Sequence, residues 1–199
     1  MTNLPSFDHP RTISEDAKDS FNINGHLLVE GLCSSEELAP FVDPLLNIGN
    51  EIAWNKNVPI EDQRTYDRAF HQAINLWRVD PIVQTFVTAK RFAHVAAQLL
   101  NAQGVRLYHD QLLNKKANGG HTPWHQDAYY WPIDGCQAIT MWMPLVNVSA
   151  AMGLVEFANK SHQKGDLKGG AISGASDQLF SELVEKEEYL LSSHDSLTA

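Results

Sequence analysis

The chain has 199 residues, with 15 lysines and arginines against 24 aspartates and glutamates, so its formal net charge is −9. This length suits a single domain, and the acidic balance argues against a nucleic-acid partner. The longest apolar run, Ile139 to Val146, is far shorter than the roughly 18 residues that span a bilayer, so no membrane span is expected. The charged N-terminus does not resemble a secretory signal, and the spacing of Cys33 and Cys136 suggests neither a disulfide framework nor a zinc site. We therefore expect a cytoplasmic protein with reduced thiols.

Residues 1–104 are predicted to form a helical front half. Three residues of the types that cap helices precede segments with helical spacing of apolar side chains, namely Ser14, Ser34 and Asp80. The second of these is followed by Glu37 in the pattern of a capping box, and the third by Pro81, which favours a first helical turn. We therefore expect helices that end near residues 21, 52 and 104.

Two segments of this half lack helical spacing. Gly25 precedes a short apolar stretch, residues 26–29, which we predict to be a strand. The polar stretch over residues 55–67 is predicted to be a surface loop.

From residue 105 the pattern changes to short runs of β-branched and aromatic residues separated by turn residues. Strands are predicted over residues 105–114, 125–130, 138–148 and 153–158, with turns at 118–120, 132–135 and 149–152. This spacing is typical of an antiparallel sandwich or barrel, which would occupy residues 105–165. Residues 166–199 read as a Gly/Ser loop, a short acidic helix near 177–189 and a tail, all within the same domain.

The motif Trp124-His125-Gln126-Asp127 carries the chemistry. Residues two apart on a strand point to the same side, so the His125 imidazole and the Asp127 carboxylate can chelate one metal ion. The spacing alone is weak support for a metal site, because an exposed polar pair on a strand has the same pattern. The aromatic group Tyr129-Tyr130-Trp131 that follows is a candidate border for a substrate mouth.

The order of motifs around this pair resembles the phytanoyl-CoA dioxygenase family. The matching residues, in chain order, are Asn114-Lys115, Trp124-His125-Gln126-Asp127, Trp142, Gly153-Leu154 and Ser161-His162. A weaker likeness around Phe21 to His26 and in the helix from Ser34 extends the resemblance over about residues 14–165. It implies an α+β, mainly β fold of the double-stranded β-helix (jelly roll, cupin-like) type behind N-terminal helices.

The resemblance also implies a cofactor set and an activity. Members of the family are non-haem iron oxygenases, so His125 and Asp127 would be Fe(II) ligands, and Gln111 and Trp142 would lie beside the cosubstrate 2-oxoglutarate. The expected reaction is the hydroxylation of a small or lipid-like metabolite with O₂. From the residues alone, a strand Trp is as consistent with core packing, and a strand Gln with a cross-strand contact.

The sequence departs from the family pattern after this motif. The family completes its metal site with a distal His and holds 2-oxoglutarate with an Arg shortly after it, but the histidines that follow Asp127 are His162 and His194, and the last arginine is Arg106. For His162 the resemblance implies a structural role, and His194 lies in the polar tail. We therefore expect the C-terminal strands to be missing or divergent, as in a fragment or an inactive relative.

Two other readings of the motif stay open. The chain is either an inactive binding module that keeps the fold without turnover, or a cupin-type metal site in which His121 joins His125 and Asp127 and 2-oxoglutarate has no part. His109 is the remaining nearby histidine, and a buried, hydrogen-bonded role is expected for it rather than metal ligation.

Overall fold

The computed structural model describes residues 4–63, 65–117, 119–131, 133, 137–187, 189–192 and 196–197. The helices are α1 (Glu15–Asn24), α2 (Ser35–Ile52), α3 (Thr65–Ala69), α4 (Pro81–Val87), α5 (Lys90–Leu99) and α6 (Gly174–Lys186). The strands are β1 (Phe70–Ile74), β2 (Gln111–Lys115), β3 (Val148–Ser149), β4 (Phe157–Ala158), β5 (Leu191–Ser192) and β6 (Ser196–Leu197). No helix in the described ranges has both the length and the apolarity needed to cross a membrane.

The predicted helix starts are confirmed. The hydroxyl of Ser14 accepts a hydrogen bond from the backbone of α1, and Gly25 ends that helix with a φ of 84°, in the left-handed region that glycine adopts without strain. Ser34 and Glu37 form the predicted capping box at α2. Asp80 caps α4 by accepting hydrogen bonds from two backbone N–H groups of its first turn.

The predicted third helix is in fact two helices. α4 ends at Val87 and α5 begins at Lys90, and the carbonyl of Phe7 accepts a hydrogen bond from Arg91 N in the first turn of α5. The Phe7 ring is buried and lies 5.8 Å from the Phe86 ring and 5.5 Å from the Phe92 ring. The break between the helices therefore accommodates an N-terminal segment that local periodicity does not reveal.

Two predictions in the first half are wrong. Residues 26–29 form no strand, because Leu27 and Val29 pack instead against a small cluster built on Ile13, Val95 and Leu99. The polar stretch 55–67 is not simply a surface loop, because Asn55 is only 2% exposed and its amide donates hydrogen bonds to the carbonyls of Asp67 and Phe70. Buried amide bonds of this kind make a polar segment part of the interior.

β1 was not anticipated and pairs antiparallel with β2. The register places Phe70 opposite Lys115, Gln72 opposite Leu113 and Ile74 opposite Gln111. The alternate residues Ala73 and Leu112 belong to the main core, which also holds the aromatic side chains of α2, α4 and α5. Side chains alternate across a strand, so the Gln72 and Gln111 side chains lie on the ladder face turned away from that core.

The later strands are much shorter than predicted. β3 pairs antiparallel with β6, and β4 with β5, over two residue pairs each. Of the strand predicted over residues 105–114, only the end from Gln111 onward is formed, and residues 138–148 contribute a strand at Val148 alone. Residues 127–130, predicted to be extended, form a 3₁₀ turn. Strand pairing in the described ranges is thus limited to three two-stranded ladders, an α+β arrangement.

The acidic helix near the C-terminus is confirmed with shifted bounds. α6 begins at Gly174 behind the N-cap Ser173, whose hydroxyl forms a capping box with Ser176, and it ends at Lys186. Phe180 of this helix is buried against Gly169, where any side chain would collide with its ring. The segment before α6 is therefore held close to the helix.

Candidate metal centre

The candidate centre lies on the segment that follows β2. A Cβ atom on Gly119 would lie 2.7 Å from the Cα atom of Ala69, closer than real side chains approach a backbone. Lys116 N also donates a hydrogen bond to the carbonyl of Ala69, at 2.8 Å. These two close contacts fix the start of the segment against the end of α3.

His125 and Asp127 point toward each other, with 3.3 Å between His125 Nε2 and Asp127 Oδ1. Gln126 between them has extended dihedral angles, φ −111° and ψ 125°, which place its two neighbours on the same side of the chain. A continuous strand was expected here, whereas Asp127 begins the 3₁₀ turn. A single extended residue is sufficient for the convergence.

The atoms of the two side chains that face away from each other, His125 Nδ1 and Asp127 Oδ2, also have hydrogen-bond partners. His125 Nδ1 lies 2.8 Å from the carbonyl oxygen of Pro123, which can only accept, so Nδ1 carries the proton and Nε2 presents its lone pair. Asp127 Oδ2 accepts a hydrogen bond of 3.0 Å from the hydroxyl of Thr140. Backbone carbonyls and hydroxyls of this kind orient metal ligands in proteins, because they fix the tautomer and the ring plane.

The donor set fits a divalent metal ion. Two ligand atoms at about 2.1 Å from a metal and at right angles to each other lie about 3.0 Å apart, close to the separation of Nε2 and Oδ1. A neutral imidazole with a carboxylate suits Fe(II) among the first-row metals. Within the described part of the chain, no group of three or more His, Cys, Asp or Glu side chains is arranged to hold a metal, so this pair supplies two protein ligands.

Without a metal, His125 and Asp127 each favour the charged form of the other. Burial disfavours the charged imidazole, but the hydrogen bonds to Asp127 and Pro123 outweigh it and raise the pKa of His125. The hydrogen bond from His125, helped by Thr140, lowers the pKa of Asp127 despite burial of the carboxyl. A metal ion would therefore compete with the proton on Nε2.

The other predicted site residues lie around this pair. Gln111 donates a hydrogen bond from Nε2 to Oε1 of Gln72, at 3.2 Å. Trp142 is partly exposed and follows two residues after Thr140. The His109 ring lies 4.7 Å from the Trp131 ring, and burial lowers the pKa of His109 although the Asp110 and Asp127 carboxylates oppose this shift. His109 is therefore partly buried against an aromatic ring, and the hydrogen-bonded role expected for it stays a prediction.

The histidines considered as a third ligand are directed elsewhere. His121 is 78% exposed in its side chain and pairs with Asp177 of α6, with 3.0 Å between Nε2 and Oδ2. His162 Nε2 lies 3.2 Å from the carbonyl of Asn22, which places this ring against α1. His194, like Cys136, lies outside the described residues. The structure therefore argues against the three-ligand site that includes His121.

Several residues that hold the site were missed in the sequence. Asp177 Oδ1 accepts a hydrogen bond from Trp124 N at 3.1 Å, and the Gln126 side chain bonds to the carbonyl of Gly165 at 2.8 Å and to Leu167 N at 2.9 Å. Tyr130 accepts from Ile172 N at 2.8 Å. The partners are 39 to 53 residues apart, so no local pattern could have indicated them.

Aromatic rings continue from the site. The Trp131 ring lies 4.7 Å from the His109 ring and 5.3 Å from Tyr108, and Tyr129 and Tyr130 contact each other at 5.1 Å. Both of these tyrosines and Tyr108 are exposed. Trp131 packs against the His109 ring, and the role of these aromatic residues at a substrate mouth stays a prediction.

Comparison with known families gives one match. The family model described as phytanoyl-CoA dioxygenase (PhyH) matches residues 21–182, which include β1, β2 and the His125–Asp127 pair. Comparison with curated proteins and with solved structures gave no match. Because the matched range covers most of the 199 residues, the chain belongs to the phytanoyl-CoA dioxygenase family, whose members generally depend on Fe(II) and 2-oxoglutarate.

Proposed function

We propose that the chain is an Fe(II)- and 2-oxoglutarate-dependent dioxygenase that hydroxylates a small or lipid-like metabolite. The observation that carries the proposal is the distance of 3.3 Å between His125 Nε2 and Asp127 Oδ1. The other polar atom of each side chain is hydrogen-bonded, Nδ1 to the Pro123 carbonyl and Oδ2 to the Thr140 hydroxyl. Such anchoring restricts each side chain to the orientation that a metal ligand needs. Gln111 and Trp142 are proposed to border the cosubstrate.

The work of the protein residues follows from these contacts. Bound Fe(II) would supply the oxidising chemistry with O₂ and 2-oxoglutarate. The Pro123 carbonyl keeps the proton on Nδ1, so that the His125 ring offers a lone pair rather than an N–H. Thr140 holds one carboxylate oxygen of Asp127 and leaves the other toward His125. The Trp131 ring, which contacts the rings of His109 and Tyr108, is proposed to border the substrate mouth.

An anaerobic titration tests the proposal. We expect Fe(II) and 2-oxoglutarate together to give the visible metal-to-ligand charge-transfer band in the wild-type protein. His125→Ala and Asp127→Ala should lose this band. His9→Ala, which changes an exposed histidine more than 100 residues before the motif in the sequence, should keep the band. A band that survives both ligand substitutions would place the metal elsewhere and refute the assignment.

A second candidate function is an inactive binding module. It is favoured by the described residues, which bring together two ligand side chains, His125 and Asp127, and no third. In that case the wild-type protein would give no charge-transfer band at any Fe(II) and 2-oxoglutarate concentration. The cupin-type site predicts instead that His121→Ala removes metal binding and that 2-oxoglutarate has no effect on the metal spectrum.

The wider expectations are part of the same proposal. We propose a double-stranded β-helix for the family fold of this chain, supported by its family membership and by the β1–β2 ladder beside the candidate centre. A crystal structure with metal bound tests this directly. A cytoplasmic location stays a prediction from the sequence.

A further inference from the structure

Asp177, in the first turn of α6, holds the segment that leads into the candidate metal centre. Its Oδ1 accepts a hydrogen bond of 3.1 Å from Trp124 N, and its Oδ2 lies 3.0 Å from His121 Nε2. Residues 121–124 are in neither a helix nor a strand, so their backbone N–H groups have no partner in a regular ladder. The Asp177 carboxylate therefore attaches this irregular segment to α6 at two points.

The hydrogen bond from Trp124 N fixes the orientation of a whole peptide group. Trp124 N and the Pro123 carbonyl belong to the same peptide group, which is trans and planar, so its N–H and its C=O point in opposite directions. The N–H points to Asp177 Oδ1, and the carbonyl oxygen lies 2.8 Å from His125 Nδ1. Asp177 and the His125 ring are thus connected through opposite sides of one rigid group.

The Pro123 carbonyl determines which nitrogen of His125 can bind a metal. It accepts the proton of Nδ1, so the lone pair is left on Nε2, the nitrogen that faces Asp127. If the peptide group rotated, the carbonyl would lose Nδ1, and the ring would be free to carry its proton on Nε2 instead. A charged acceptor on the N–H side also polarises the peptide group and strengthens its carbonyl as an acceptor.

The chain on the other side of His125 is attached independently. The Gln126 side chain donates a hydrogen bond to the Gly165 carbonyl at 2.8 Å and accepts one from Leu167 N at 2.9 Å. These bonds act on the residue after His125, whereas Asp177 acts on the peptide group before it. The tautomer of the ring therefore depends on Asp177, and the extended conformation after the ring on Gln126.

We propose that Asp177 is a positioning residue for the candidate metal centre, an inference that rests on the proposed function. Its carboxylate fixes the peptide group between Pro123 and Trp124, and the carbonyl of that group keeps His125 in the tautomer that presents Nε2 to the metal. In many metal sites a carboxylate does this directly, by accepting the N–H of a histidine ligand. Here the carboxylate acts one peptide group farther out and lies 53 residues after Trp124 in the sequence.

The first measurement reads the tautomer without any metal. In protein labelled with ¹⁵N-histidine, the imidazole nitrogen shifts of His125 at alkaline pH distinguish a proton on Nδ1 from a proton on Nε2. We expect the Nδ1–H form in the wild type and a mixture of both forms in Asp177→Leu, which has a similar shape but no acceptor. Asp177→Asn keeps an oxygen acceptor for Trp124 N and should retain the Nδ1–H form.

Amide exchange and Co(II) binding give two further readouts. The Trp124 amide should exchange about tenfold faster in Asp177→Leu than in the wild type, because its acceptor is gone. The Co(II) dissociation constant should rise about tenfold in the same variant, the lower end of the effect of residues that orient metal ligands, and the visible d–d bands should shift. Asp177→Asn should change this constant less than about threefold, because a neutral acceptor remains.

A matched control accounts for the loss of a negative charge at a helix start. Asp16→Leu makes the same change on an exposed aspartate in the first turn of α1. It should leave the His125 tautomer, the exchange of the Trp124 amide and the Co(II) dissociation constant as they are in the wild type.

Three outcomes overturn the inference. If folded Asp177→Leu keeps the Nδ1–H tautomer, Asp177 does not act through the peptide group, even where Co(II) binding or thermal stability is reduced. Fast exchange of the Trp124 amide in the wild type shows that the carboxylate does not hold this group, whether or not the variants fold. Tighter Co(II) binding by Asp177→Leu shows that His121, once released, becomes a ligand.

Failure of the proposed function gives a different result. A wild-type protein that binds no Co(II) refutes the assignment of His125 and Asp127 as metal ligands. The tautomer and the amide exchange are measured on the metal-free protein, so they report the action of Asp177 on His125 in either case.

Discussion

Replacing Thr140 with valine removes one hydroxyl from the candidate centre and keeps the shape of the side chain. That hydroxyl donates a hydrogen bond of 3.0 Å to Asp127 Oδ2. Hydrogen bonds to charged acceptors contribute about 1.5 to 3 kcal/mol, but the Asp127 side chain is 47% exposed, so water replaces part of the lost bond. We therefore expect a loss near the lower end, about 1.4 kcal/mol, which is about tenfold in metal affinity.

Calorimetric titration with Mn(II) or Fe(II) under anaerobic conditions measures this loss. Thr85→Val is the matched control, because its hydroxyl bonds to the carbonyl of Pro81 within α4. Asp127→Ala defines the complete loss of the site. If Thr140→Val binds metal as tightly as the wild type while Asp127→Ala binds none, the hydroxyl does not orient the ligand, and the argument from Asp127 Oδ2 is refuted.

Three other predictions concern the fold. Gly119→Ala should lower the free energy of unfolding in urea by about 1 to 3 kcal/mol, because its Cβ would meet the Ala69 backbone, whereas Gly104→Ala, with open space around the Cβ, should not. The hydrogen bond from Arg91 lowers the pKa of Glu37. This pair therefore stabilises the fold fully above the unfolded-state pKa of about 4.3, and the stabilisation is lost as the pH falls through the folded-state pKa. Glu37→Gln should make the free energy of unfolding depend less on pH in this acidic range, and an unchanged pH dependence would contradict the reasoning. Burial raises the pKa of the Cys33 thiol to about 11, so iodoacetamide at pH 8 should label Cys33 in a Cys136→Ser variant far more slowly in the folded protein than in urea, and equal rates would count against this reading.

The helices could be predicted from the sequence because their signals are local. A capping side chain and the backbone N–H it satisfies are two or three residues apart, as for Ser34 with Glu37 and for Asp80 with Val83. The break before α5 could not be predicted in this way. Phe7 causes it from more than 80 residues away, through its carbonyl bond to Arg91 N and its ring contacts.

The strands were harder to predict because their alternation does not specify a partner. Residues 125–130 were predicted to be a strand, yet the N–H groups of Tyr129 and Trp131 bond to the carbonyls of Gln126 and Ala128, which closes a 3₁₀ turn. β1 was missed because the segment before it has the composition of a surface loop. It directly follows a polar stretch read as a loop, and Asn55 buries that stretch by bonding to the Phe70 carbonyl.

The predicted convergence of the His125 and Asp127 side chains is seen in the structure, but for a reason that the sequence pattern gave only in part, and their role as metal ligands stays a proposal. Its convergence needs the one extended residue, Gln126, and that residue is held by its own side chain, which bonds to Gly165 and Leu167. The preceding residue is held through Trp124 N by Asp177 at the start of α6. Because both attachments come from the segment between residues 165 and 177, the orientation of His125 and Asp127 depends on tertiary contacts rather than on a strand pleat. The two-residue spacing specifies which side chains can meet, and the polar contacts to that later segment specify that they do.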